Sequence, residues 1–283
     1  MFLKEWFEEF NCKTIDDVNR AKREMVQHII LAGLSRSDFF EHAAFFGGTA
    51  LRILYDMPRF SEDLDFSLIK VNPDFTLEKY FDFIRAECAM YDLDVSLKIK
   101  QKVNPNAVES AFLKDKTIWA DLTITGNNKI GLEPELRIKF EIERDQKSVV
   151  TTEQKLLVKP FSFYINAYTA EYLFAGKMHA VLFRQWRNRV KGRDWYDFEW
   201  FIKKGYAVNL MHLEARAKQS GHWPQKLKLT KEKFLKLLHD KIESLNINAA
   251  KDDIGRFVFE KENLTLWSKQ YFHDLSEKMK INL

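Results

Sequence analysis

Cysteine is nearly absent: Cys12 and Cys88 are the two in 283 residues, too few for a disulfide framework. No CxxC or clustered His/Cys pattern offers structural zinc either, so both thiols read as small buried hydrophobes. Glycine and proline are scarce, at 10 and 6. No stretch approaches the roughly 18 uncharged apolar residues of a membrane span. The opening MFLKEWFEEF puts Glu5, Glu8 and Glu9 where a secretion signal needs a basic region and an unbroken apolar run. These absences predict a soluble, cytoplasmic protein with no membrane partner.

Apolar and aromatic residues are plentiful. The chain is 46% hydrophobic, with 24 Phe and 7 Trp spread along it, enough for one large or two modest cores and too much for disorder. The net charge of +4 hides an asymmetry. Residues 1–150 hold 21 Lys and Arg against 26 Asp and Glu, a net of −5, and residues 151–283 hold 24 against 15, a net of +9. An acidic half followed by a basic half suits a metal-using catalytic domain beside a polyanion-binding one. Pro160 follows a Lys/Thr-rich connection, which predicts domains at 1–160 and 161–283.

Periodicity gives a coarse fold. Residues 15–34 read as an amphipathic helix that ends near Gly33, and a second helix is expected around 36–44. TALRILY (49–55) and residues 76–91 also read as helical. DLDFSLI, LDVSLKIK (93–100), TIWADLTIT (117–125) and ELRIKFEIE (135–143) alternate with period two and read as strands, so a mixed sheet with helices on one side follows. From Tyr168 onward the pattern is helical: TAEYLFAGKMHAVLFRQW, then DWYDFEWFIKK, LMHLEARAKQ, TKEKFLKLLHDKIESL and EKENLTLWSKQYFHDLSEKMK.

The chemically informative stretch is Gly47-Gly48-Thr49 followed by Arg59-Phe60-Ser61-Glu62-Asp63-Leu64-Asp65-Phe66. Two glycines before a helix let backbone N–H groups approach an anion, and Thr49 adds a hydroxyl. Asp63 and Asp65 are two apart in a predicted strand, so both leave one face, a pair of hard oxygen ligands suited to Mg²⁺. A third carboxylate is expected on a neighbouring strand, with Glu141 chosen for its central place and Asp121 as competitor. Three carboxylates around one or two Mg²⁺ ions could align an acceptor hydroxyl with an α-phosphate.

The basic half carries a second cluster. Lys177 interrupts the apolar AEYLFAGKMHAVLF, and Arg184, Arg187, Arg189, Lys191 and Arg193 follow with no acid before Asp194. Arg184, Arg187 and Lys191 recur at helical spacing, and with Arg193 they are the nucleic-acid-binding candidates. Trp186 and Trp195 read as core. His179 stands alone and is given no role.

FFGGTALRILYDMPRFSEDLDFSL resembles the first motif of the AbiEii/AbiGii toxin nucleotidyltransferases, a GG(S/T) turn followed by RxSxDLDF. RIKFEIE resembles the second motif, AGKMHAV the third with its lysine, and RVKGRDWYDFEWF the fourth, so the four motifs span residues 45–201 in order. The resemblance implies an α+β fold with a polymerase-β-like nucleotidyltransferase core followed by a C-terminal helical domain. It implies Asp63 and Asp65 as catalytic and metal-binding, and Gly47, Gly48 and Thr49, with Arg59 and Ser61, as nucleotide-binding. Lys177 and Asp194 would be a further essential pair, with Asp197 the alternative acid. The implied activity is Mg²⁺-dependent transfer of NMP from an NTP to the 3′ end of tRNA or another RNA. The implied partner is a winged-helix antitoxin of a type IV toxin–antitoxin system. Rival expectations are a small-molecule or protein hydroxyl as acceptor, or a non-catalytic nucleotide- or RNA-binding module.

Overall fold

A computed structural model describes residues 2–100, 117–126, 135–144, 150–184, 190–258 and 262–283. The chain divides into two compact units. The first comprises residues 1–55, 61–146 and 152–167, and the second residues 56–60, 147–151 and 168–283. The boundary thus falls at Ala167, later than the expected 160, because the Lys/Thr-rich connection is itself a strand of the first unit's sheet and a second strand follows Pro160.

The first unit is a mixed seven-stranded sheet with helices, in the strand order β3-β4-β5-β2-β1-β7-β6. The helices are α1 (Phe2–Glu8), α2 (Ile15–Ser35), α3 (Phe39–His42), α4 (Gly47–Tyr55) and α5 (Glu78–Ala89). The strands are β1 (Ala43–Phe46), β2 (Leu64–Leu68), β3 (Leu93–Lys100), β4 (Thr117–Gly126), β5 (Leu136–Glu143), β6 (Thr152–Leu157) and β7 (Phe163–Tyr168). A capping box starts α2: the Thr14 hydroxyl accepts from the Asp17 N–H at 3.2 Å, and the Asp17 carboxylate accepts from the Thr14 N–H at 3.0 Å. The helix runs on past Gly33 to Ser35. The helix expected over 36–44 is only the short α3, since Ala43–Phe46 pairs with β2 as the central β1.

Strand β2 sits between β1, antiparallel, and β5, parallel. Its alternation buries Leu64 and Phe66 and leaves Asp65 half-buried, and β5 buries Phe140 and Ile142 and leaves Glu141 half-buried. Phe66 stacks on Phe140 at 4.8 Å between centroids, and Phe39 meets Phe66 edge-on at 5.0 Å. Aromatic pairs in these geometries add to the area they bury. They fix the register of β2 on β5, so the carboxylates on the other side inherit a defined position.

The second unit is helical: α6 (Ala170–Phe183), α7 (Gly192–Lys203), α8 (Leu210–Gln219), α9 (Lys231–Glu243), α10 (Ile247–Ile254) and α11 (Lys269–Lys278). A two-stranded parallel sheet of β8 (Ala207–Asn209) and β9 (Lys280–Asn282) completes it. Helix α6 is apolar around most of its circumference, as a central helix must be. Phe174 on it stacks flat on Phe201 of α7, 4.5 Å and 8°. The residues 56–60 join this unit by strand-like pairing: the Phe60 N–H donates to the Phe257 carbonyl at 2.8 Å, and Arg59 bridges to Val258.

Candidate active site

In the first unit the glycine turn and the acidic strand meet. Gly47 has φ +86°, a conformation L side chains rarely adopt, and a Cβ there would stand 2.2 Å from Asp65 Oδ2. Glycine is therefore required twice, by conformation and by contact. Gly47 and Gly48 are the first residues of α4, so free N–H groups of a helix start lie beside the carboxylate. Thr49 is fully buried, and its hydroxyl donates to the Asp63 carbonyl. That bond fixes the entry to β2.

Asp63 precedes β2 rather than lying within it, but it keeps the expected parity with Asp65 across the buried Leu64. The segment before it is held from α2 by the buried Gln27, whose side-chain amide donates to the Ser61 carbonyl at 3.2 Å and the Glu62 carbonyl at 3.0 Å. Gln27 escaped the sequence reading, although a polar residue within the apolar run MVQHIIL was its signal.

The register pairs Asp65 of β2 with Glu141 of β5. Asp121, the competing acid, lies a strand further out opposite Lys139, and its carboxylate is 2.6 Å from the Lys100 ammonium. Among the described residues no three His, Cys, Asp or Glu side chains are gathered into a ready-made metal cage. The donor chemistry suits Mg²⁺ nonetheless, because that ion takes one or two carboxylates and completes its octahedron with water and substrate phosphates. The Gly47 turn approaches Asp65 closely, which brings the start of α4 beside this carboxylate.

The second unit carries a buried charge cluster. Arg59 is 2% exposed, and its Nε and Nη2 donate to Asp197 Oδ1 and Oδ2 at 2.5 and 2.6 Å, a bidentate pair. Its Nη1 donates to the Phe60 carbonyl at 2.9 Å. The Lys177 ammonium reaches the same Asp197 carboxylate at 2.8 Å. Burial alone would raise the pKa of Asp197, but the charges of Arg59 and Lys177 overturn that and hold it below the usual carboxylate range. Two expectations change here. The acid that fixes Lys177 is Asp197, not Asp194, which lies one turn earlier on α7, buried and close enough to act on the Arg59 charge. Arg59, expected at the nucleotide, is committed to Asp197, because a guanidinium buried this deeply needs a carboxylate partner.

The basic run after Lys177 leaves helix α6 at Arg184. Helix α6 ends at Phe183, Arg184 caps it in extended conformation, and Lys191 precedes α7. Trp186, Arg187 and Arg189 lie outside the described residues. A new helix starts at Gly192, where the Ala250 carbonyl occupies the place of a Cβ and the Asp253 carboxylate accepts from the Gly192 N–H at 3.1 Å. Arg193 lays its guanidinium over the Phe257 ring at 4.1 Å, and Trp195 is core, as expected.

The model of the family "Nucleotidyl transferase AbiEii toxin, Type IV TA system" matches residues 29–274. Among solved structures, MenT4, a nucleotidyltransferase toxin from Mycobacterium tuberculosis, is similar at TM-score 0.58 and 13% identity over 94% of this chain and 84% of that one. JHP933 from Helicobacter pylori is similar at TM-score 0.52 and 16% identity over 92% and 90% of the two chains. Among curated proteins no relative matches. At such identities the structures speak for the fold, and the family match covers most of the chain. This chain is a nucleotidyltransferase and belongs to the AbiEii toxin family of type IV toxin–antitoxin systems.

Proposed function

We propose that the enzyme uses Mg²⁺ to move an NMP from an NTP to an RNA 3′ end, tRNA in the first place, and so acts as a toxin against translation. The observation that carries this reading is the pairing of Asp65 with Glu141 in register, with the Gly47 turn packed against Asp65. In this reading Asp63, Asp65 and Glu141 hold the metal. Bound Mg²⁺ supplies positive charge at the triphosphate and favours the acceptor alkoxide. The N–H groups at the start of α4 hold phosphate oxygens. Lys177, its ammonium steadied by Asp197, is the further essential cation of this reading. The acceptor oxygen bonds to the α-phosphorus, the bond to the β-phosphate oxygen breaks, pyrophosphate leaves with the electron pair, and the hydroxyl proton passes to solvent.

Residues 151–283, most of which form the second unit, carry the excess positive charge a polyanionic acceptor calls for, +9. No described helix is long and apolar enough to cross a membrane. An antitoxin is the partner that the family implies; its winged-helix class and a cytoplasmic location belong to the proposal. The test is incubation with Mg²⁺, total tRNA and each α-labelled NTP, beside Asp65→Ala. Label should appear on tRNA with the intact enzyme and vanish with the variant, whose unfolding midpoint stays near that of the parent. Undiminished labelling by Asp65→Ala would sink the assignment, and label on protein or small molecules alone would move the acceptor.

A further inference from the structure

The polar face of the first unit's sheet continues past the proposed metal ligands. Residues opposite one another in paired strands leave the same face, so the register lays out rows across it. One row runs from Asp65 on β2 through Glu141 on β5 and Trp119 on β4 to Lys100 on β3. The next row holds Lys139, Asp121 and Lys98. The sequence neighbours of Trp119, Ile118 and Ala120, pack with the core on the other side of the sheet. The indole therefore stands on the carboxylate face, half-buried. At the usual strand spacing the Trp119 Cα is about 5 Å from that of Glu141 and about 10 Å from that of Asp65.

These rows are basic within the acidic half of the chain. Lys98 and Lys139 are exposed. Asp121, which stands between them, has its carboxylate 2.6 Å from the Lys100 ammonium, and Arg137 in the row beyond is held by Glu135 at 3.0 Å. Lys98 and Lys139 are thus the cations this face presents to a ligand. A sheet face that only meets water needs no tryptophan, yet Trp119 is the one aromatic on this side of β3, β4 and β5 among the described residues. A ring flanked by lysines is how proteins hold single-stranded nucleic acid, with a π face for a base and ammonium groups for phosphates.

The order of the strands selects the substrate. Phe46, the last residue of β1, stands opposite Asp65, and the Gly47 turn follows it directly. That turn is on one side of β2, and β5 and β4 are on the other. In the proposed reaction pyrophosphate leaves at the start of α4, on the β1 side. In-line displacement brings the attacking oxygen from the side opposite the leaving one, so the acceptor approaches over β5 and β4. We infer that Trp119, Lys98 and Lys139 bind the terminal nucleotides of the acceptor RNA. An unpaired base stacks on the indole, and phosphates meet the two ammonium groups. The inference rests on the proposed RNA acceptor, and it gives the end of that RNA a place in the first unit, apart from the basic second half.

Two readouts separate this surface from the chemistry. Fluorescence anisotropy of an end-labelled single-stranded RNA of about ten nucleotides, in chelator and without NTP, reads binding alone. Trp119→Ala should weaken binding at least about fivefold, the lower end for one stacked base, and Trp119→Phe should restore most of it. The double variant Lys98→Glu/Lys139→Glu should weaken binding about tenfold or more, and its log affinity should depend less steeply on log salt, by about 0.7 for each phosphate no longer neutralised. Arg85→Glu, exposed on α5, which packs on the core face of the sheet, is the control and should change little. Unfolding midpoints near the parental value certify that the variants fold. In steady-state transfer the surface variants should raise the KM for RNA and leave the KM for the NTP near its parental value. The inference is overturned if the double lysine variant keeps parental affinity and salt slope, or if Arg85→Glu weakens binding equally. It is also overturned if the KM for the NTP rises in place of that for RNA, which would make Trp119 the seat of the NTP base. Binding that responds to these variants without any Asp65-dependent transfer would count against the proposed reaction and leave the surface standing.

Discussion

At the scale of single residues, the site depends on contacts that leave little room for replacement. Gly47→Ala would place a methyl group where Asp65 Oδ2 lies and force an L side chain to φ +86°. The backbone conformation alone costs about 1–3 kcal/mol, and displacement of Asp65 should lower transfer by about a hundredfold or more. Label transfer beside a thermal unfolding curve measures both, and a variant with parental activity would refute the contact. Asp197 makes the second case. Asp197→Ala strands a guanidinium that is 2% exposed, and breaking a buried pair from one side costs roughly 3–5 kcal/mol. The double change Arg59→Met/Asp197→Leu should recover most of that stability in denaturant unfolding, yet stay inactive because Lys177 has lost the carboxylate that steadies it. Recovery of activity along with stability would show that Asp197 serves the fold alone. Sequence could not rank Asp194 against Asp197. They are three apart on one helix and share a face, and what decides between them is the segment carrying Arg59, more than a hundred residues away.

Among elements, the pairing of β2 with β5 is what favours Glu141 as the proposed third carboxylate. Glu141→Ala should abolish or reduce transfer at least about a hundredfold, with the loss partly offset by higher Mg²⁺, because its register partner is Asp65. Asp121→Asn should stay within about twofold of the parent, since that side chain sits opposite Lys139 and pairs with Lys100. The reverse ranking in a Mg²⁺ titration of activity would exchange the two roles. The strands that frame this choice were legible because one face of each is buried and the other is not: LDVSLKIK, TIWADLTIT and ELRIKFEIE all alternate. Strand β1 was not legible, because AAFF is a short continuous apolar run, and periodicity cannot separate such a run from a buried helix segment. Strand β6, TEQKLL, reads as a polar connection because it is an edge strand, and edges carry polar residues. Arg184 stands just past the end of α6 at Phe183, and α7 begins afresh at Gly192, whose N–H is taken by Asp253 of α10.

Across the whole molecule, stability should respond to acid through histidine before it responds through carboxylates. His28 in the first unit is pushed down to about 4, by burial first and then by the Arg52 charge, against a hydrogen bond to the Lys159 carbonyl that works the other way. His179 and His212 in the second unit are pushed down to about 3 by burial, with Arg216 beside both. Each is neutral when folded and takes up a proton near pH 6.5 when unfolded. Above pH 6.5 neither state binds that proton and the histidines are indifferent. Between about pH 6.5 and 4 the unfolded chain binds more protons than the folded one, so stability falls as pH falls. For His28 the loss approaches roughly 3 kcal/mol at the lower end of that window. Carboxylates held low by cations, Asp197 foremost, withdraw their contribution only further down, as the pH falls toward their lowered folded pKa values. The unfolding midpoint should therefore be flat from about pH 8 to 7 and decline from about 6.5, before carboxylate titration begins. The uncharged replacement His28→Gln should flatten the upper part of that decline at some cost in packing against Trp6, whose ring meets His28 edge-on at 5.6 Å. A midpoint that holds level down to pH 5, or a decline untouched by His28→Gln, would show that the imidazole is not buried neutral and that acid acts on this chain through its carboxylates alone.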